Sequence, residues 1–185
     1  IINRATTLNP FIMGVILSVS VGCILTLPIS SAALCISIGL SGLAAGAATA
    51  GCCAQMIGFA VVSFKDNGIG GLISQGLGTS MLQIPNIVKR PIIWLPPIIS
   101  SAILGPISSA LLHMTSNPTG SGMGSAGFVG QIMSWQTMSQ TMPAHIVLIE
   151  IAVMHFILPA ILTFAISEVM RKFELIKEGD MLLRL

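Results

Sequence analysis

The sequence predicts an all-α, polytopic integral membrane protein whose helices are broken by glycine-rich, re-entrant segments. Of its 185 residues, 54% are hydrophobic and only 8% are charged, whereas soluble domains carry about 25% charged residues. No Asp, Glu, Lys or Arg occurs between Arg4 and Lys65 or between Arg90 and Glu150, and each interval can hold two crossings of about 20 residues. A polar, glycine-rich run at 113–135 separates two strongly apolar segments.

The first apolar segment, at 11–27, predicts a membrane-spanning helix. Thr6, Thr7 and Asn9 are candidate caps for its N-terminus because their side-chain oxygens can accept from free backbone N–H groups. Pro28 is expected to end the helix because it cannot continue the backbone hydrogen bonds.

An uncharged run at 30–64 is longer than one untilted crossing requires. It predicts either one long tilted helix or two pieces broken between Gly39 and Gly46. Small residues dominate this run, and small side chains at every third or fourth position allow membrane helices to approach closely. Gln55 is its one strongly polar side chain, and we interpret it either as an interhelical hydrogen bond or as a contact with a solute.

Lys65, Asp66 and Asn67 predict a return of the chain to the aqueous boundary. Glycine and glutamine interrupt the next run, at 68–89, too often for a membrane crossing. We interpret this run as a second re-entrant or interfacial segment. Two short glycine-rich segments between strong helices are typical of transporter sites near the membrane midplane.

Two further spanning helices are predicted, at 92–112 in spite of its prolines and at 143–170. The predicted organisation is a membrane-embedded region at 1–170 and a cytoplasmic tail at 171–185, in which the last helix continues for a few turns to Gly179. Adjacent basic residues precede the first of these helices and follow the second. The positive-inside rule assigns both of those ends to the cytoplasm.

The run at 113–135 is the predicted floor of a solute-binding site, because unpaired peptide groups survive at membrane depth only inside protein or beside a watery cavity. Gly122, Gly124 and Gly127 match G-x-G-x-x-G by letter, but the strand that precedes a dinucleotide fingerprint is missing. Closely spaced glycines nevertheless expose backbone N–H groups, and a helix that starts near Ser125 would direct its positive end at a bound oxygen. The alternative is a tight extracellular loop.

Glu150 is the one acid well inside an apolar segment, and an intramembrane carboxylate is a functional-site hypothesis by default. It could accept hydrogen bonds from a sugar or carry a coupling proton. The alternative is a structural pair with a histidine, but His145 and His155 lie five residues away and do not share its helix face. The predicted solute-binding residues are Gln55, Asn67, His113, Asn117, Thr119, Gly120, Ser121, Gly122, Gln131 and Glu150.

Other kinds of site find little support in the sequence. The four cysteines have neither Cys-x-x-Cys spacing nor a nearby histidine, so we interpret them as small core residues and predict no metal site. No Ser-His-Asp order or Walker loop is visible, and we expect no catalytic residue and no cofactor. A formal net charge of +2 is too small to indicate nucleic acid as a partner.

Five phrases, in order along the chain, carry a family resemblance: NPFIMGVILSV, LTLPISSAAL, GLSGLAAGAATAGCCAQMIGFAV, DNGIGGLISQGLGTSMLQIPNIV and NPTGSGMGSAGFVGQ. Together they resemble the membrane (IIC) subunit of the sugar phosphotransferase system, in the branch that includes the perfringolysin regulator-like membrane proteins. The likeness extends to about Gln131. It suggests the C-terminal half of a longer protein, which agrees with Ile1 in place of an initiator methionine.

The resemblance implies a multi-pass permease component of the bacterial cell membrane that forms a homodimer and is not catalytic on its own. In such phosphoenolpyruvate-dependent systems a separate IIB protein phosphorylates the transported sugar. The implied partners are therefore IIA and IIB proteins, the lipid bilayer and a small polar solute, expected to be a sugar. Two alternatives are a membrane-embedded regulator that senses a ligand, and a secondary transporter or channel for a small anion.

Overall fold

The computed structural model describes residues 1–183, and every regular element within that range is helical. The predicted all-α class is therefore confirmed. The helices are α1 (Ile2–Leu8), α2 (Pro10–Thr26), α3 (Ser31–Ser37), α4 (Gly42–Val62), α5 (Phe64–Ile73), α6 (Ile84–Lys89), α7 (Leu95–Pro106), α8 (Pro118–Ser121), α9 (Val129–Met138), α10 (Ala144–Ala152) and α11 (Leu158–Lys172).

Three helical stretches in the described range are long and apolar enough to cross a membrane. They are α4, the stretch Pro91–Leu111 that contains α7, and the stretch Ala144–Lys172 that contains α10 and α11. The shorter apolar helix α2 has 17 residues, and Asn9 caps it by accepting from the backbone N–H of Ile12 at 3.2 Å. All four lie where apolar segments predict helices.

The uncharged run at 30–64 forms two helices rather than one. α3 and α4 are separated by a break in which Gly39 and Gly42 have φ values of +62° and +61°. Glycine adopts this left-handed conformation without the steric penalty of a Cβ atom. The second of the two sequence interpretations is therefore the one that the structure supports.

The small residues of α4 explain its place at the centre of the bundle. A Cβ atom on Gly51 would overlap the backbone of Ser18 in α2, and one on Gly58 would lie 2.9 Å from the Thr163 side chain in α11. Because these glycines have no side chain, both neighbouring helices approach α4 closely, as the small-residue pattern predicts. Most of α4 is buried as a result.

Hydrogen bonds between helices fix their directions. The Ser109 hydroxyl donates to the Pro10 carbonyl at 2.6 Å, and the Ser18 hydroxyl donates to the Ser101 carbonyl at 2.7 Å. The bonded position rises from 10 to 18 along α2 while its partner falls from 109 to 101 along the stretch Pro91–Leu111, so α2 is antiparallel to that stretch. The Arg171 guanidinium donates at 3.3 Å to a carbonyl at the end of α4, so α11 ends beside the end of α4.

Most charged side chains gather at this shared end of the bundle, which we call the charged end. Lys65 pairs with Glu168 at 3.0 Å, and Arg90 pairs with Asp180 at 3.6 Å. Exposed pairs of this kind contribute about 0–1 kcal/mol each, so other contacts must hold this end together. Its assignment to the cytoplasm stays a prediction from the positive-inside rule.

The described tail is not helical after Lys172, contrary to the sequence prediction. α11 ends before Glu174, whose φ is +56°, and residues 173–183 fold back over the charged end. The Leu183 backbone N–H donates to the Asn67 side-chain oxygen at 2.7 Å. Side chains from a distant segment thus satisfy backbone groups of the tail that a continued helix would have paired internally.

Candidate functional site

Two hairpin-like excursions of the chain contain the glycine-rich segments. The charged-end hairpin, residues 64–89, leaves the end of α4 and returns beside it before Pro91–Leu111 begins. The far-end hairpin, residues 113–142, leaves the opposite end of the bundle after Leu111 and returns before α10. Each hairpin packs against α4. The α4 residues that a hairpin contacts therefore show how far that hairpin extends into the bundle.

The far-end hairpin follows α4 inward. The backbones of Gly42 and Ser116 exchange hydrogen bonds of 3.1 and 3.3 Å at its start. Further in, a Cβ atom on Gly124 would lie 2.8 Å from the side chain of Cys52. The ten residues between these two positions on α4 correspond to about 15 Å at a rise of about 1.5 Å per residue. The hairpin therefore passes about half the length of α4 and is packed against protein, unlike an open loop.

The helix predicted to start near Ser125 begins four residues later. Gly127 and Phe128 have φ values of +52° and +58° and separate a short turn from α9, which starts at Val129. The N–H of Gly130 in its first turn donates to the carbonyl of Gly124 at 3.1 Å. The start of α9 is therefore partly satisfied within the hairpin itself.

The charged-end hairpin enters from the opposite direction and meets the far-end hairpin. After α5 it forms a π-helical turn, Ser74–Gly78, in which Gly76 packs against Ala60 of α4. The Ser125 hydroxyl at the tip of the far-end hairpin donates to the Gly76 carbonyl at 2.6 Å, and both groups are buried. The two glycine-rich segments thus touch tip to tip inside the bundle.

A cavity of about 260 Å³ lies where the hairpin tips meet the connection between α2 and α3. This volume is slightly below the range of about 300–1,000 Å³ that is usual for small-molecule sites, so it suits a small ligand. The cavity is lined by Leu25, Leu27, Ile29, Ser30, Ser31, Ala32, Met56, Gly78, Thr79, Met81, Gly122, Met123 and Ala126.

The polar groups of the cavity are three hydroxyls and the backbones of its two glycines. The Ser31 hydroxyl donates to the Gly122 carbonyl at 2.6 Å and is therefore occupied. The Ser30 and Thr79 hydroxyls each accept from a nearby backbone N–H, at 3.3 and 3.1 Å, and neither has an acceptor for its proton within residues 1–183. A hydroxyl can donate and accept at once, so both can bond to a ligand.

Gln55 lies behind the cavity in a network of buried side chains. Its Oε1 accepts from Trp94 Nε1 at 2.9 Å and from the Thr26 hydroxyl at 3.3 Å, while its Nε2 donates to the Ser101 hydroxyl at 3.4 Å. The Thr26 and Ser80 hydroxyls are 2.9 Å apart, which connects the network to the cavity wall. The interhelical interpretation of Gln55 is the one that these bonds support.

Three polar residues of the predicted site have structural roles instead of facing the cavity. Asn67 Nδ2 donates to the carbonyls of Met181 and Ser63, at 2.8 and 3.2 Å, so its side chain holds the tail. Asn117 caps α8 by accepting from a backbone N–H at 2.9 Å. The Ser121 hydroxyl donates back to a carbonyl of its own turn at 2.8 Å. These bonds give Asn67 a structural role, and its contact with a solute stays a prediction.

Gln131 and Glu150 also lie outside the cavity. Gln131 Nε2 is 3.3 Å from both Cys53 Sγ and His155 Nδ1, in the contact between α9, α4 and the last long helix. One buried side-chain oxygen of Gln131 and one of Glu150 have no hydrogen-bond partner within the described chain.

The remaining candidates differ in burial. His113 and Thr119 are exposed, whereas Gly120 is buried in the far-end hairpin. Gly122 is the one predicted residue that lines the cavity. Ser30 and Thr79 also line the cavity but are not among the predicted residues. Each directly precedes a helical turn that follows a proline or a glycine. This pattern can be recognised in the sequence.

The geometry combines glycine backbone, free hydroxyls and interrupted helices around one cavity. A family model described as "Phosphotransferase system, EIIC" matches residues 1–183. The chain belongs to this family. The predicted resemblance to the IIC subunit is thereby confirmed. Comparisons with curated proteins and with solved structures found no match.

Membership in the EIIC family carries three consequences for the chain. It is an integral membrane protein and a permease component of sugar transport. It acts together with IIA and IIB proteins. The predicted class of transport protein is therefore confirmed.

Proposed function

We propose that this EIIC protein binds a sugar in the cavity between the hairpin tips and moves it across the cytoplasmic membrane. The observation that carries the proposal is the cavity, which two glycine-rich hairpins build by entering the bundle from opposite ends. Backbone outside regular helices persists at membrane depth only where protein or a water-filled space surrounds it. A cavity between such segments is a natural place for a polar solute.

In this proposal the chain crosses the membrane several times and both hairpins are re-entrant. α4 is about 30 Å long at a rise of about 1.5 Å per residue, which equals the thickness of a typical hydrocarbon core. The far-end hairpin reaches half-way along it, so the cavity lies near the midplane. The charged end faces the cytoplasm, where IIA and IIB proteins act, and two copies of the chain form a homodimer, as the family resemblance implies.

The chemistry of the cavity suits a sugar. The Ser30 and Thr79 hydroxyls and the backbone groups of Gly78 and Gly122 offer donors and acceptors for sugar hydroxyls. Three methionines and several aliphatic side chains supply apolar walls for the C–H faces of the ring. Polarizable thioethers adapt to irregular surfaces. Apolar walls with a few placed polar groups are the usual composition of a small-molecule site.

The test is a titration of the full chain in lipid nanodiscs with a panel of neutral monosaccharides. Loss of one neutral hydrogen bond weakens binding by about 0.5–1.5 kcal/mol, so Thr79→Val should raise Kd about 3–10-fold. Thr79→Ser keeps the hydroxyl and should bind as the wild type does. Thr141→Val, at an exposed position outside the cavity, is the remote control.

Uptake measurements separate transport from the alternatives. Proteoliposomes that contain the chain should accumulate sugar phosphate only when IIA, IIB and phosphoenolpyruvate are present. Binding without uptake would identify a sensor, and uptake driven by a proton gradient would identify a secondary transporter. If no sugar of the panel binds, or if Thr79→Val binds as tightly as the wild type, the proposed site is wrong.

A further inference from the structure

A series of buried hydrogen bonds lies behind the cavity between the hairpin tips. It contains three fully buried polar side chains, Thr26 of α2, Gln55 of α4 and Ser80 of the charged-end hairpin. Each is adjacent in sequence to residues that line the cavity: Leu25 and Leu27 flank the first, Met56 follows the second, and Thr79 and Met81 flank the third. The bonds among these three side chains therefore connect three separate segments of the cavity wall.

Trp94 fixes the direction of these bonds. An indole N–H can only donate a hydrogen bond, and Trp94 Nε1 lies 2.9 Å from Gln55 Oε1, so the amide oxygen of Gln55 must face the indole. The amide nitrogen then faces Ser101, to whose hydroxyl it donates at 3.4 Å. The Thr26 hydroxyl lies 3.3 Å from the same amide oxygen. Because that oxygen can only accept, Thr26 meets it as a donor.

Ser80 completes the series, which we call the hydroxyl relay. Its hydroxyl is 2.9 Å from the Thr26 hydroxyl and has no other acceptor for its proton within residues 1–183. If Thr26 donated to Ser80, the buried proton of Ser80 would be left without a partner, which is destabilising. Ser80 therefore donates to Thr26, and Thr26 donates to Gln55 and, at 3.4 Å, to the Gly22 carbonyl of its own helix. Hydrogen bonds in such a series polarise and strengthen one another.

The relay holds one wall of the cavity. Within the described range, the bond between Thr26 and Ser80 is the one hydrogen bond that joins α2 to the charged-end hairpin. Ser80 begins a 3₁₀ turn, and Thr79 caps that turn by accepting from a backbone N–H at 3.1 Å. The Thr79 N–H donates to the Ser74 carbonyl at 2.9 Å and closes the preceding π-helical turn. A shift of Ser80 therefore moves Thr79, whose hydroxyl is free to bond to a ligand.

We propose that Gln55 and Trp94 are positioning residues for the sugar, although neither of them lines the cavity. Gln55 holds Thr26, Thr26 holds Ser80, and Ser80 fixes the place of the Thr79 hydroxyl against α2. The inference rests on the proposed function, because it concerns the same cavity. A ligand that bonds to Thr79 restrains this wall, so the Trp94 indole at the other end of the relay responds to occupancy without touching the ligand.

The first test measures sugar affinity by calorimetry on the full chain in lipid nanodiscs, with glucose, galactose and mannose as probes. Thr26→Val removes the middle hydroxyl of the relay and should raise Kd about 3–10-fold, the effect of one neutral hydrogen bond. Thr26→Ser keeps the hydroxyl and should bind within about twofold of the wild type. Thr49→Val is the matched control, because the Thr49 hydroxyl is equally buried but donates within its own helix.

A double-mutant cycle separates one connected relay from two independent contacts. Trp94→Phe removes the indole donor, keeps an aromatic ring and should raise Kd by up to about fivefold. If Trp94 acts through Thr26, the double variant should bind within about twofold of Thr26→Val alone, because the relay is already broken. A Kd that rises by the product of the two single effects overturns the inference.

The second test uses the fluorescence of Trp94, one of the two tryptophans of the chain. In a Trp135→Phe background, its emission should shift when the sugar is added, with the Kd that calorimetry gives. The shift should disappear in Thr26→Val at sugar concentrations that saturate this variant, and it should return in Thr26→Ser. A purely structural role of Thr26 would leave the shift in place. A shift that survives Thr26→Val, or sugar binding without any shift, overturns the inference.

The two tests also separate this inference from the proposed function. If Thr26→Val does not fold, the Kd of Trp94→Phe and the fluorescence of the Trp135→Phe protein decide, and an unchanged value of either overturns the positioning role. If none of the three sugars binds the wild type, the proposed function fails and the positioning role fails with it. If sugar binds equally to the wild type, Thr26→Val and Trp94→Phe, the proposed function stands and only the positioning role is wrong.

Discussion

The two hairpins border the same open cavity but are held in place by opposite means. The far-end hairpin is positioned by glycines that let backbone touch backbone. A Cβ atom on Gly46 of α4 would overlap the Met114 carbonyl, and one on Gly122 would lie 2.5 Å from the Ser31 carbonyl. These contacts depend on the absence of side chains, so almost any substitution at the two glycines adds atoms where backbone already lies.

The charged-end hairpin is positioned by side-chain amides and by the tail. Gln75 Nε2 donates to the Ser63 hydroxyl at 2.7 Å, Gln83 Nε2 donates to Gln75 Oε1 at 2.8 Å, and Asn86 Nδ2 donates to Gln83 Oε1 at 2.8 Å. Gln83 and Asn86 also donate to tail carbonyls, at 3.0 and 3.1 Å. Such bonds can be removed one at a time.

The difference teaches that the two sides of the cavity should respond differently to mutation. Close backbone packing fails abruptly, because a main-chain overlap cannot be relieved by a rotamer change. An amide network weakens in steps of about 1–3 kcal/mol for each buried group that loses its partner. The far-end hairpin is therefore a fixed wall, in which one substitution causes a large loss of stability. In the charged-end hairpin, each substitution is expected to remove only part of the stability.

The largest effect is expected for Gly46→Ala. The added methyl group would overlap the Met114 carbonyl, and overpacking of this kind typically costs about 1–3 kcal/mol, occasionally more. Gly70→Ala is the matched control, because that glycine lies in α5 with open space around it and alanine favours helix by about 0.5–1 kcal/mol. In detergent, the thermal unfolding temperature should fall clearly for Gly46→Ala and should not fall for Gly70→Ala. Equal stability of the two would contradict the fixed-wall description.

An intermediate effect is expected for Asn67→Ala. It removes bonds to the Met181 carbonyl and the Leu183 N–H, and each buried group left unpaired costs about 1–3 kcal/mol. The tail should open locally while the bundle stays folded, so hydrogen exchange should rise in residues 179–183 but not in α4. Gln140→Ala, which removes an exposed bond within one helical turn, controls for the loss of an amide. Exchange that rises equally throughout the bundle would mean that the tail does not open independently of the bundle.

The smallest effect on stability is expected for Ser125→Ala, which removes the bond between the hairpin tips. One neutral hydrogen bond contributes about 0.5–1.5 kcal/mol, with a further cost for the Gly76 carbonyl left unpaired. Sugar affinity should fall clearly while the unfolding temperature falls only slightly, because the bond aligns the two walls of the proposed site. Ser37→Ala, which removes an exposed hydrogen bond within α3, is the control. Unchanged affinity in Ser125→Ala would separate the tip contact from binding.

The sequence predicted the helices better than it predicted the site. Long apolar runs and small-residue spacing are local signals, so the stretches that contain α2, α4, α7 and α11 could be read directly. The break between α3 and α4 was left open because glycine permits both a helix and a left-handed turn. Nothing in the sequence around Glu174 predicts its left-handed conformation. That conformation depends on the path of the following tail, which bonds to Asn67.

The candidate site was harder to predict because its contacts join distant parts of the chain. Polarity in apolar surroundings selected Gln55 and Asn67, but that signal is the same for a side chain that meets a solute and for one that meets another helix. The partner of Asn67 lies 114 residues away. Only folding brings Ser30, Thr79 and Gly122 to one cavity, and no spacing rule connects three breaks that lie in three different segments.

The burial of Met181 has a consequence for the order of assembly. Its side chain is fully buried, in one cluster with Phe59 and Ile93, and its backbone is bonded to Asp66 and Asn67. A ribosome that adds about 5–20 residues per second needs roughly 6–23 s to proceed from residue 67 to residue 181. During that interval the charged-end hairpin has been synthesised without the tail residues that bond to it in the finished fold.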